Sequence, residues 1–148
     1  MDSLALLRFL HVLGAVLLLG NVAVTGLWAG LLWRSRSEFP YPRAARAILW
    51  ADLCFTLVGG SLLTMSGIFL VRNEGLPWRD LPWIRHGIAA LATATFIWLA
   101  ALLPDQWRME RWAADDPRYP RAFWRWTLVG WLDTLVLFFG LWAMVTKS

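Results

Sequence analysis

The sequence predicts an all-α fold: four transmembrane helices in one bundle, built from two repeated helical hairpins. Three observations lead there. Four long apolar segments cover most of the 148 residues. Short connections rich in proline, glycine and arginine separate them. The second pair of segments also repeats landmarks of the first. Composition agrees: the chain is 59% hydrophobic and 16% charged, against roughly 45–50% and about 25% in ordinary soluble domains.

The segments run approximately from Leu4 to Trp33, Arg43 to Val71, Leu81 to Leu103 and Ala122 to Val145. At ~1.5 Å per residue each exceeds the ~30 Å hydrocarbon core. The first is read as a retained helix, because its apolar run is too long for the core of a secretory leader. Prolines and a glycine punctuate the connections: Pro40 and Pro42 in the first, Gly75, Pro77 and Pro82 in the second, Pro104, Pro117 and Pro120 in the third. Short connections make successive helices antiparallel. The whole chain, 1–148, is one integral membrane domain.

The repeat covers about 4–71 and about 81–146. His11 opens HVLGA and His86 opens HGIAA, Tyr41-Pro42-Arg43-Ala44 matches Tyr119-Pro120-Arg121-Ala122, and Trp50-x-Asp52 matches Trp131-x-Asp133. Gly59 and Gly140 each follow their Asp by seven residues. The offsets are 75, 78 and 81 residues, so order is kept with small insertions. Duplicated hairpins related by a pseudo-two-fold along the membrane normal would give this pattern.

Charge sets topology. Nine of the 14 Lys and Arg residues lie in or beside the first and third connections. The positive-inside rule places those loops in the cytoplasm and both termini outside, as expected of a bacterial inner membrane protein. The net charge of +4 therefore reflects loop arginines and does not point to nucleic acid. Twelve tryptophans mostly fall near the predicted headgroup levels, as an aromatic belt does. Trp28, Trp50, Trp98 and Trp131 lie deeper, against lipid, a partner helix or a flat cofactor.

Polar residues are costly within a bilayer and should face the inside of the bundle. At 100° per residue the inward stripes are His11, Gly14, Leu18, Asn21 and Thr25; Ile48, Asp52, Thr56, Gly59, Leu63 and Ser66; His86, Ala90, Thr93, Ile97 and Ala100; and Trp126, Asp133, Leu137, Gly140 and Met144. His11 and His86 then sit at similar depth in the outer half. Two such imidazoles can ligate b-type haem, one on each face. With Met144 they can also hold copper. Ordinary interhelical hydrogen bonds are the plain alternative. Asp52 and Asp133 form a deeper pair, with Asn21 within reach of either site. Each Asp is either neutral or partnered, and the pair is read as a proton-accepting site or as a device that fixes helix register.

The run LRFLHVLGAVLLLGNVAVTGLW, Asp52, Ser66-Gly67, the LLPDQ at Leu102 to Gln106 and the closing helix through Met144 and Lys147 resemble an uncharacterised bacterial family of predicted four-helix integral membrane proteins. More remotely, the entering His before an LGA-like run is similar to copper-resistance D-type proteins and to haem-binding bacterial protoporphyrinogen oxidases. That similarity implies a haem or metal ligand at His11. The oxidases carry a functional lysine in their third helix, where this chain has only Arg85 beside His86.

The leading expectation is a membrane protein holding haem b through His11 and His86 for electron transfer or haem handling. The alternatives are a cofactor-free accessory subunit of a larger membrane complex, and a copper or small-solute transporter that would work as a homodimer. The chain has no phosphate-binding loop and no CxxCH or HExxH motif, which speaks against kinase, covalent-haem and zinc-hydrolase chemistry.

Overall fold

The computed structural model describes residues 2–36, 41–113 and 115–148, so Pro40 lies outside the described residues. Four helical rods emerge. α1 spans Ser3–Arg34. α2 joins the helix Tyr41–Ala51, a π-turn at Asp52–Thr56 and the helix Leu57–Asn73. α3 joins Pro82–Ile97, a π-turn at Trp98–Leu102 and Leu103–Arg111. α4 spans Tyr119–Thr146. Each rod is long and apolar enough to cross a membrane.

Local chemistry sets the ends. The Asp2 carboxylate accepts from the Leu4 N–H at 3.1 Å and caps α1. Gly75, at φ +62°, takes the left-handed conformation that turns the chain out of α2. Pro82 and Pro120 sit in the first turns of α3 and α4, where a missing N–H leaves no gap in the ladder. In the α3–α4 connection Arg118 grips Asp116, at 2.7 Å and 3.0 Å. These side-chain bonds pull the Asp116 carboxyl down to about 2.

Pro104 does not end the third helix as its sequence position suggests. α3 runs through it to Arg111. The residue before the proline closes a π-turn, and that wider turn relieves the clash a proline ring makes with the carbonyl four residues back. The extension carries Asp105 and Gln106 into the bundle, where both are buried. Asp105 accepts from Arg125 and, at 3.1 Å, from Arg108.

The helices pack as two hairpins, α1 with α2 and α3 with α4. Lipid gives no hydrophobic drive between helices, so close backbone approach matters most. A Cβ on Gly14 would lie 2.6 Å from the Leu63 nitrogen, and one on Gly59 would lie 2.8 Å from the Leu18 nitrogen. In the second hairpin a Cβ on Gly140 would lie 2.8 Å from that of Ala90, and Gly87 lies under the Met144 side chain. The hairpins then meet along α1 and α4, and at the basic end, where Tyr41–Ala51 of α2 lies against Leu103–Arg111 of α3. A layer there includes Phe123, buried and stacked on Trp33 with ring centroids 4.1 Å apart. Above this layer α2 and α3 diverge: no Cα of Leu57–Asn73 lies within 8 Å of one in Pro82–Ile97.

The inward stripes of α1, α2 and α4 fall where the spacing places them, with Gly14, Leu18, Asp52, Thr56, Gly59, Ser66, Asp133, Leu137 and Gly140 all buried. The stripe of α3 does not. Of its residues Ala90 alone is buried; His86, Thr93 and Ala100 are exposed, and Ile84, Gly87 and Ala94 are buried instead. Small residues fix the rotation of α3 against α4, because only they permit the crossing at Gly140 and Met144. The matched landmarks also differ in backbone form: Asp52 opens a π-turn, whereas Asp133 sits in unbroken α-helix.

Candidate functional site

Polar side chains gather on the walls of a cleft of about 340 Å³ between the two hairpins. Asp52 closes its deep end and is 5% exposed. The π-turn widens α2 at this point and stacks Asp52 and Thr56, four residues apart, on one face. Asn21 of α1 donates through Nδ2 to Asp52 Oδ1 at 2.7 Å and to Thr56 Oγ1 at 2.9 Å. Gln106 of α3 donates through Nε2 to Asp52 Oδ2 at 2.5 Å. One carboxyl thus ties together α1, α2 and α3, and each of its amide partners presents an N–H.

Asp133 sits in a different environment. It is 4% exposed, yet its Oδ1 has no hydrogen-bond partner within the protein. The same holds for Trp98 Nε1, Gln106 Oε1, Trp126 Nε1 and Thr127 Oγ1, and all five residues line the cleft. Buried polar atoms are normally paired, and hydrocarbon offers them nothing. Two of the five are indole donors, one is a hydroxyl, and two are oxygens on an amide and a carboxyl. The cleft therefore offers both donors and acceptors.

Each histidine hydrogen-bonds within its own hairpin. His11 lies on the stripe of α1, its Nδ1 at 2.9 Å from the Leu63 carbonyl and 3.2 Å from Ser66 Oγ. Ser66 Oγ donates to the Leu62 carbonyl, so the proton on Nδ1 serves the Leu63 oxygen. Gly67 faces the ring, and a Cβ there would lie 3.0 Å from His11 Cε1. His86 is exposed, with its Nδ1 at 3.1 Å from the Ser148 carbonyl and its ring tilted against Phe139 at 5.8 Å. At ~100° per residue it lies roughly 140° around α3 from Leu91, a residue of the cleft wall. The expectation that His86 points inward is therefore corrected, for the packing reason given above. Met144 is engaged over Gly87 at the α3–α4 crossing. The contacts of His11 lie in the first hairpin and those of His86 in the second, so no described contact joins the two rings. Among the described residues, no three His, Cys, Asp or Glu side chains cluster.

Asn21 and Asp52, singled out from sequence, share one hydrogen-bonded group, and Asp133 faces the same cleft from α4. Sequence reasoning missed Gln106 and the indole nitrogens of Trp98 and Trp126. Eight residues of α-helix would set Gln106 about 80° around from Trp98, so the sequence carries no clear signal for it, and the proline at 104 reads as a stop. Of the deep tryptophans, Trp28 and Trp50 point outward, 60% and 61% exposed.

Fold and site together define a multi-pass integral membrane protein with four spans and, among them, a cleft whose walls carry several polar side chains. The sequence matches the family described as "Predicted integral membrane protein (DUF2269)" over residues 5–148. The chain belongs to that family. No curated protein and no solved structure matches it.

Proposed function

We propose that this protein binds a small hydrogen-bonding molecule inside the membrane, in the cleft between its hairpins. Asp133 carries the proposal: a deeply buried carboxyl, with an oxygen unmatched by the protein, faces a space large enough for a ligand. A buried polar atom left unpaired costs about 1–3 kcal/mol, and four more surround the same space. A bound molecule that pairs with them offsets that cost. The Asn21, Asp52, Thr56 and Gln106 group braces the deep end and holds three helices in register around the ligand.

Native mass spectrometry of the protein released from lipid nanodiscs tests this. The expected result is a retained non-lipid adduct in the wild type that is lost in Gly60→Phe and Asp133→Leu. Gly60 lines the cleft and has nothing within 4 Å of a Cβ placed on it, so the new ring fills the space without a backbone clash. A bare wild-type protein, under conditions that retain bound lipid, would contradict the proposal.

A second reading, haem or copper at His11, is supported by one observation. The Leu63 carbonyl fixes Nδ1–H and leaves Nε2 for a metal, the usual anchoring of a histidine ligand. It predicts a visible absorption band or stoichiometric copper that disappears in His11→Ala and persists in His86→Ala. In either reading the arginine-rich end faces the cytoplasm, which reporter fusions at the two termini test.

A further inference from the structure

We infer that the cleft takes the ring head of a lipid-soluble quinone or its quinol, which enters sideways from the bilayer between α2 and α3. This rests on the binding reading above and adds the ligand's chemical class to it.

The route comes from the divergence of α2 and α3 above the basic end. Leu57 and Met65 of α2, 52% and 54% exposed, border the cleft on one side, and Leu91 and Thr95 of α3 border it on the other. Leu57 and Met65 lie more than two turns from either end of α2, at hydrocarbon depth. Two of the hydroxyls at this mouth are turned back on their own helices, Thr64 donating to the Gly60 carbonyl and Thr95 to that of Leu91, both at 2.8 Å, and Ser61 adds a third hydroxyl. What remains at the mouth is mainly apolar, suited to a hydrocarbon tail.

The unmatched atoms inside select the head. An inorganic cation would satisfy Asp133 Oδ1 and Gln106 Oε1 but leave the Trp98 and Trp126 N–H groups unpaired. An anion would take the indoles but confront Asp52 and Asp133. A plain acyl chain would satisfy none of them. A ring bearing carbonyls accepts from the indoles, and its hydroxyl form donates to the Asp133 and Gln106 oxygens. The indoles in the wall, Trp98, Trp126 and Trp131, suit an aromatic head group. The volume, about 340 Å³, is at the lower end of small-molecule sites, ~300–1,000 Å³; it holds a head group while the tail trails into lipid.

The test titrates the protein in phosphatidylcholine nanodiscs with decyl-ubiquinone, using empty nanodiscs as the baseline. Expected are saturable binding at one molecule per chain, loss of that binding in Gly60→Phe, and affinities about three- to tenfold weaker in Trp98→Phe and in Trp126→Phe, each of which keeps a ring and removes one donor. Decylbenzene, with the same tail and no carbonyl, should not compete. Binding no greater than in empty nanodiscs overturns the inference, as does saturable binding that all three variants leave unchanged. If decyl-ubiquinone fails to bind but native mass spectrometry still finds an adduct sensitive to Gly60→Phe, the ligand class is wrong and the binding reading stands. If neither signal is found, both fall.

Discussion

Adjacent glycines in α2 give a prediction with its own control. A Cβ at Gly59 would lie 2.8 Å from the Leu18 nitrogen and 3.0 Å from the Gly14 carbonyl oxygen, whereas one at Gly60 meets nothing within 4 Å. These two atoms are backbone and the third neighbour is the Leu17 Cβ at 3.0 Å, itself fixed by the backbone, so no rotamer change can relieve the contact. To restore a contact of about 3.4 Å, α1 and α2 must separate by at least ~0.6 Å, a gap that forfeits roughly a quarter of the dispersion energy of neighbouring pairs. Overpacking of this kind costs about 1–3 kcal/mol. Both glycines lie in the same stretch of helix, so the gain in helix propensity from Gly→Ala, about 1 kcal/mol, cancels between them. Gly59→Ala should therefore be less stable than Gly60→Ala by about 1–3 kcal/mol, roughly a 5- to 150-fold difference in the folded-to-unfolded ratio. Unfolding in mixed micelles with increasing sodium dodecyl sulfate measures this difference. Equal midpoints for the two variants would refute the close crossing of α1 and α2.

Further predictions concern the polar interior. Asn21→Leu removes donors to both Asp52 and Thr56 and should destabilise the protein by about 2–4 kcal/mol in the same assay, while Asp52→Leu with Asn21→Leu should lose less than the two single changes combined. Asp105→Ala strands Arg125 and Arg108 at the basic end; because both arginines are more than half exposed, the loss should be about 1–2 kcal/mol and shrink in high salt. His86→Ala should leave any retained adduct and any visible absorbance unchanged, because its contacts are Phe139 and Ser148 at the rim; a lost signal would restore His86 to the site. The Asp116–Arg118 clasp contributes in full above the ordinary carboxylate range, neutral pH included, and its contribution declines below that range. It should persist as pH falls and release near pH 2, which carbon NMR of the Asp116 carboxyl would follow.

The four spans were legible in the sequence because length and apolarity are sufficient to mark a bilayer crossing. The inward faces of α1, α2 and α4 were legible because their polar residues, Asn21, Asp52 and Asp133, have nowhere else to go. The face of α3 was not, since His86 lies near a helix end where its ring can reach the rim, and the small residues Gly87 and Ala90 set the rotation instead. Matching landmarks suggested matching roles for the two aspartates, but hydrogen bonding depends on neighbours from other helices. Asp52 meets Asn21 and Gln106, whereas Asp133 Oδ1 meets no protein partner. Gln106 stayed hidden because a proline two residues earlier reads as a stop, and only the π-turn before it lets the helix continue.

An electron cryomicroscopy map of the wild-type protein in nanodiscs, with a rigid antibody fragment bound for size, tests the central claim most directly. Non-protein density is expected in the cleft, within hydrogen-bonding distance of Asp133 Oδ1 and of at least one of Trp98 Nε1 and Trp126 Nε1. A cleft closed by contact between α2 and α3, with those atoms paired to protein and no density between the hairpins, would contradict it.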